Sequence, residues 1–349
     1  MSGASAAGSA LPAELDLRRL RRRAALIAAL LVLVTAVVVL APGLDALRAA
    51  FSRAAPGWVG AALALEALSC MSYVLMFRPV FCRRMTWRRT WQIGWSELAM
   101  GSIVPASGAG GLALGAWVLK QAGMDTDRIA RRSVAFFLIK SSVNFAAVAL
   151  LGALLAMGLL GPELPLWLTA LPAVLSLVLI TVVILVPRLG PGADVDAHAG
   201  RTRRAVSRSR EAIVGGTAEA VQIVRSRDVL VLAGALGYWI FDNAVLYATF
   251  RAFGESPDVT VVLMGYLIGQ LGGLLPIPGG VGGIDGGLIG ALVLYGTPIA
   301  ATAAAVLAYR AILFWLPLLV GGLAFASLGR AMAGPGGLSL TPAGSGGSR

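Results

Sequence analysis

The sequence predicts an all-α polytopic membrane protein with about six crossing helices plus two re-entrant helical hairpins arranged as an inverted repeat. Three observations predict it. The 349 residues are 58% hydrophobic and 13% charged, with a mean hydropathy of +0.82, and apolar runs of about 20 residues, the length that crosses a bilayer, recur throughout. The formal charge of +12 comes from arginines in short blocks between those runs, a positive-inside pattern rather than a nucleic-acid surface. Two glycine- and proline-broken stretches also match each other at a constant offset of 171 residues, as from Gly94 to Gly265.

Residues 1–23 form a basic tail ending in Arg18-Arg19-Leu20-Arg21-Arg22-Arg23. The apolar run Ala24 to Pro42 is long for a cleaved signal peptide and no Ala-x-Ala site follows, so it is read as a retained helix. Residues 24–330 are read as one transmembrane domain. Pro56 to Phe77 is the second span and carries Glu66 near its middle. Arg78 to Arg89 is a basic loop with five arginines.

Residues 91–123 form the first predicted hairpin. Gly94, Gly101, Pro105, Gly108, Gly111 and Gly115 fall, at the constant offset, on Gly265, Gly272, Pro276, Gly279, Gly282 and Gly286 of the second, residues 259–296. The arms of the second, Thr260 to Leu275 and Ile284 to Tyr295, would reach about 24 Å and about 18 Å as helices. A bilayer core is about 30 Å thick, so neither arm crosses alone. Pro276-Ile277-Pro278-Gly279-Gly280-Val281-Gly282-Gly283 between them does not continue a helix.

Between the hairpins lie Asp125 to Arg132, a span from Ser133 to Leu160 with Lys140 and Asn144, and a span from Leu164 to Pro187. The polar segment 188–227 has eight arginines against four acids, and its Ala205 to Val224 part reads as an amphipathic helix on the membrane surface. Asp228 to Phe250 spans again, with Asp242 inside. Pro298 to Gly329 is the last span, with Arg310 inside and a kink expected at Pro317. Residues 331–349 read as a disordered tail.

With six crossings and a cytoplasmic N-terminus, the arginines of 78–89, 128–132 and 188–227 all face the cytoplasm. The first hairpin then dips in from the cytoplasm and, by the repeat, the second from outside. This is the ground plan of many secondary transporters. The expected location is the plasma membrane, with both termini cytoplasmic.

Several residues stand out as a substrate-binding set. Each return arm starts a half-helix whose N-terminus favours an anion, and Gly108, Gly110, Gly111, Gly279, Gly280, Gly282 and Gly283, beside Pro276, allow close backbone approach. Tight helix packing is the alternative use of those glycines. Lys140 and Arg310 are buried cations. Lys140 either joins the centre or snorkels outward; Arg310 needs a partner, Asp285 or Asp242, and Asp285 also suits a helix cap. Glu66, Glu97 and Asp242 are candidate counter-ions or proton carriers. Cys70 and Cys82 form no CxxC and His198 is the sole histidine, so neither a metal site nor a Ser-His-Asp triad is expected. No P-loop is present and no cofactor is expected.

Leu274 to Leu288, LLPIPGGVGGIDGGL, followed by Ala308 to Gly322, AYRAILFWLPLLVGG, resembles the signature of the lysylphosphatidylglycerol synthase transmembrane region, a flippase-like family. The resemblance covers roughly Leu26 to Arg330. It implies a region that moves a modified phospholipid across the membrane, beside a separate soluble transferase domain that this chain is expected to lack; aminoacyl transfer is therefore not carried over. Members often have Glu at the position of Asp285, and a Gly-Glu pair and an Arg where this chain reads Gly110-Gly111-Leu112-Ala113.

Three readings stand side by side. The first is a translocator of an anionic lipid or lipid-linked glycan. The second is a membrane-embedded transferase with Glu97 or Asp285 as general base. The third is a non-catalytic membrane partner of a glycosyltransferase. The expected partners are membrane lipids, with a lipid-linked sugar or a glycosyltransferase in the first and third readings, and no nucleic acid.

Overall fold

The computed structural model describes residues 54–103, 109–190, 201–269 and 283–332, together with Ala25 and Ser52. Over these the chain is helical: α1 (Pro56–Phe81), α2 (Trp87–Ile103), α3 (Ala109–Gln121), α4 (Thr126–Ala156), α5 (Leu166–Leu185, extended by a 3-10 turn Val186–Leu189), α6 (Arg201–Arg225), α7 (Val229–Ala252), α8 (Val259–Gly269), α9 (Gly283–Leu294) and α10 (Ile299–Met332). Five of them, α1, α4, α5 with its turn, α7 and α10, are long and apolar enough to cross a membrane. The chain is a polytopic all-α membrane protein. The predicted first span, Ala24 to Pro42, lies outside the described residues except for Ala25, as do the C-terminal residues 333–349 and the hairpin residues 104–108 and 270–282.

Caps and left-handed residues set the helix boundaries. Asp125, Asp228 and Asp258 accept hydrogen bonds from the backbone N–H groups that open α4, α7 and α8, satisfying donors that a helix start leaves orphaned. Gly123, Gly254 and Gly296, all at positive φ, follow the ends of α3, α7 and α9, and glycine enters that region at no steric cost. The sequence reading placed Asp125 to Arg132 outside the span that starts at Ser133. The Asp125 cap starts that helix at Thr126 instead. Likewise α1 runs to Phe81 and α2 begins at Trp87, so most of the loop 78–89 is helical. Arg78 is accommodated by donating to the carbonyl of Met85 and lying over the Trp87 ring.

The bundle is organised on α1 and α7, which pack antiparallel along their length. The Ala55 N–H, just before α1, donates to the carbonyl of Ala252 at the end of α7. Arg83, just beyond α1, pairs with Asp228 at the start of α7. Between these ends a side chain at Gly234 would lie 2.8 Å from the Ser72 carbonyl oxygen, so that contact is backbone-close. Two apolar cores flank this pair. One gathers Phe77, Phe81, Phe136, Ile93, Val118 and Leu119; the other gathers Leu246, Phe250, Val262, Leu292 and Val306. Shifted by 171 residues, the starts of α1 to α4 (56, 87, 109 and 126) fall at 227, 258, 280 and 297, within three residues of the starts of α7 to α10.

The short helices pack in pairs, α2 with α3 and α8 with α9. In the second pair, Gly265 faces Leu292 and Gly269 faces Leu288, the descending register of antiparallel neighbours. The amphipathic helix is observed as α6, but it docks on α4 as well as presenting a polar face: Glu219 pairs with Arg131 and Arg132 at 3.3 and 2.7 Å. Leucines and valines of α5 are widely exposed, as a lipid-facing helix requires.

A buried polar centre as candidate functional site

Six ionisable residues predicted from the sequence meet around the middle of the α1–α7 pair. Glu66, Glu97, Asp242 and Asp285 are each no more than 9% exposed, so their carboxyls are largely enclosed by protein. Lys140 and Arg310 supply the only two cations among them. Charges this deep in a membrane protein are costly and persist only with partners.

The partners differ group by group. Arg310 pairs with Asp285, in the first turn of α9; of the two acids open to it from sequence, this is the one it contacts directly. Asp242 on α7 is held instead by tyrosines, accepting from Tyr309 Oη at 2.9 Å and from Tyr266 Oη. Glu97 on α2 accepts from Tyr73 Oη at 2.7 Å. Glu66 on α1 accepts from the Cys70 thiol at 3.3 Å. The antiparallel register of α1 on α7, in which Ser69 Oγ donates to the Tyr238 carbonyl at 3.1 Å, brings Glu66 across from Asp242.

Lys140 points inward. Its ammonium lies 5.5 Å from the Tyr238 ring centroid and 6.0 Å from that of Tyr73, within the range where an aromatic face attracts a cation. In this conformation Lys140 faces the polar centre rather than the membrane surface. Three buried polar atoms of the centre, Glu66 Oε2, Glu97 Oε1 and Arg310 Nη2, have no hydrogen-bond partner among the described residues.

The predicted glycines divide. Gly111 packs against the Glu97 backbone and Gly115 against its side chain, leaving no room for a methyl group at either; here glycine lets α3 close on an acid-bearing helix. Gly110 and Gly283 lie in the first turns of α3 and α9. Gly108, Pro276, Gly279, Gly280 and Gly282 lie outside the described residues.

Sequence reasoning missed the tyrosines. Tyr73, Tyr238, Tyr266 and Tyr309 sit inside apolar segments, and a buried phenol needs a hydrogen-bond partner. Tyr238 precedes Asp242 by one helical turn and Tyr309 adjoins Arg310, which is the signal that would have found them. Among the described residues no group of three His, Cys, Asp or Glu side chains is arranged to hold a metal ion.

Residues 25–321 match the family model described as the lysylphosphatidylglycerol synthase TM region. The chain is also similar to UPF0104 membrane proteins of Methanothermobacter thermautotrophicus. One is 27% identical over 313 residues, covering 82% of this chain and 88% of the relative. Two others are 30% identical over shorter stretches of 97 and 86 residues, so the chain spans only 29% and 26% of their lengths. The chain belongs to the lysylphosphatidylglycerol synthase TM-region family.

Proposed function

We propose that this member of the lysylphosphatidylglycerol synthase TM-region family is a translocator that passes an amphiphile with an anionic head, a phospholipid or a lipid-linked glycan, between leaflets. The observation that carries the reading is Arg310. It is a half-buried guanidinium beside the first turn of α9, and its buried Nη2 has no hydrogen-bond partner among the described residues. A guanidinium and a helix N-terminus are the two protein groups best suited to a phosphate.

In this reading α2–α3 and α8–α9 are re-entrant hairpins of an inverted repeat. The recurrence of four helices at one spacing supports it, as does the shortness of α8 and α9, 11 and 12 residues, against about 20 for a crossing helix. Gly108, Pro276, Gly279, Gly280 and Gly282 then lie at the hairpin tips, where backbone can approach a headgroup. Lys140 provides a second positive charge. Glu66, Glu97 and Asp242 act as counter-charges and proton carriers, because two cations do not balance four carboxyls in a medium that solvates ions poorly. The arginine-rich α6 side faces the cytoplasm of a plasma membrane.

The test is reconstitution into vesicles carrying a fluorescent phosphatidylglycerol or a fluorescent polyprenyl-phosphate sugar, with dithionite bleaching of the outer leaflet. Exchange of at least one of them above protein-free vesicles is expected, with a loss of about tenfold or more in Arg310→Ala, equivalent to about 1.4 kcal/mol. Exchange equal to protein-free vesicles for both lipids overturns the reading.

A further inference from the structure

A crevice of about 390 Å³ lies between α4, α5 and α6, lined among others by Phe137, Leu138, Val183, Val186, Ile213 and Thr217. That volume falls within the roughly 300–1,000 Å³ of small-molecule sites. It is separate from the polar centre: Phe136 packs edge-on against Tyr73, whereas Phe137, one residue on, lines the crevice and is 41% exposed. Its walls are almost wholly apolar.

What surrounds the walls identifies an occupant. The α4 part of the lining, Ser133 to Leu138, lies within about 9 Å of Arg132 along the helix axis, inside the depth of about 15 Å that one leaflet's acyl chains fill in a core of about 30 Å. The roof is α6, seated without slack: a side chain at Gly216 would lie 2.7 Å from the Arg131 carbonyl oxygen. The rim is positively charged. Arg188 follows Val186 and is exposed. Arg210 precedes Ile213 by three residues and so shares its side of α6, and Arg131 is half-exposed beside Glu219. Among the described residues, the acids near the rim are Glu219, already shared between Arg131 and Arg132, and the exposed Glu211.

We propose that this crevice binds an anionic phospholipid of the leaflet next to α6, with one acyl chain beneath that helix and the phosphate among Arg131, Arg188 and Arg210. The lipid completes the packing of α6 on α4 and α5. The site does not depend on the translocator reading, since it uses none of the polar-centre residues.

The experiment is native mass spectrometry of the delipidated full chain titrated with phosphatidylglycerol or phosphatidylcholine of matched chains. Retention of one phosphatidylglycerol with about tenfold preference is expected, on the scale of a few arginines near a headgroup. Thr217→Trp and, from the opposite wall, Val183→Trp fill the crevice and abolish that retention; the pair guards against one variant misfolding. Arg188→Gln keeps binding but reduces the preference, and Arg251→Gln, at the far end of α7, changes neither. Equal retention of the two lipids, retention unaffected in a folded Thr217→Trp or Val183→Trp protein, or loss of the preference in Arg251→Gln overturns the proposal.

Discussion

The first helical set, α1 to α4, and the second, α7 to α10, each run long, short, short, long but distribute their charges differently. Within the short helix pairs, the first set carries its acid on α2, at Glu97, where it reaches a tyrosine. In the second it sits on the returning helix α9, at Asp285, and pairs with a cation. The cations are almost equivalent: Lys140 shifted by the repeat spacing falls on 311, one residue past Arg310. Yet Lys140 rests over two aromatic faces while Arg310 makes a direct ion pair. A shared backbone arrangement therefore leaves the local electrostatics free to diverge, because each buried charge needs only some partner within reach.

Substitutions break this comparison most sharply at the cations. Arg310→Ala leaves Asp285 buried without its cation and is expected to cost about 3–5 kcal/mol, read as thermal unfolding in detergent. Lys140→Ala, which severs no direct ion pair, is expected to cost less than half as much. The double variant Arg310→Ala, Asp285→Ala should recover part of the loss; no recovery would mean the pair is not energetically coupled.

The tyrosines sharpen the contrast at intermediate scale. Tyr73→Phe removes the one hydrogen-bond donor that Glu97 has among the described residues and should cost about 1.5–3 kcal/mol, the range for bonds to charged groups. Tyr309→Phe leaves Asp242 with the bond from Tyr266 and should cost about 1 kcal/mol. Equal losses in chemical denaturation would show that the two carboxyls are held alike.

The smallest expected effect comes from one of two glycines that lie 171 residues apart. Gly115→Ala meets the Glu97 side chain, whereas Gly286→Ala meets nothing within 4 Å among the described residues. The first should destabilise by about 1–2 kcal/mol as overpacking does, and the second should lie within about 0.5 kcal/mol of the parent. Matching melting curves for the two variants would remove the packing distinction between the helix pairs.

Much of this architecture was legible in the sequence. Apolar runs fix five spans because a bilayer demands length and continuity, and the deep charges at 66, 97, 140, 242, 285 and 310 announced the polar centre, since such residues are costly without company. Boundaries slipped where capping outweighed composition: Asp125 and Thr126 start α4 ahead of a charged stretch that hydropathy assigns to a loop. Whether Arg310 meets Asp285 or Asp242 was open, because both lie on other helices and only tertiary packing chooses. The apolar crevice was illegible altogether, since its walls come from α4, α5 and α6 with Leu112 of α3, and none carries a sequence mark.

The α1–α7 pair is pinned at one end by the Ala55–Ala252 backbone bond, at the other by Arg83 and Asp228, and along its length by a glycine-close contact. Such a seam resists sliding and gaping alike, so it would behave as the stator of any working cycle. In the translocator reading, strokes that expose the charged interior to one side and then the other would fall to the short helix pairs and α10, swinging about a spine that stays still.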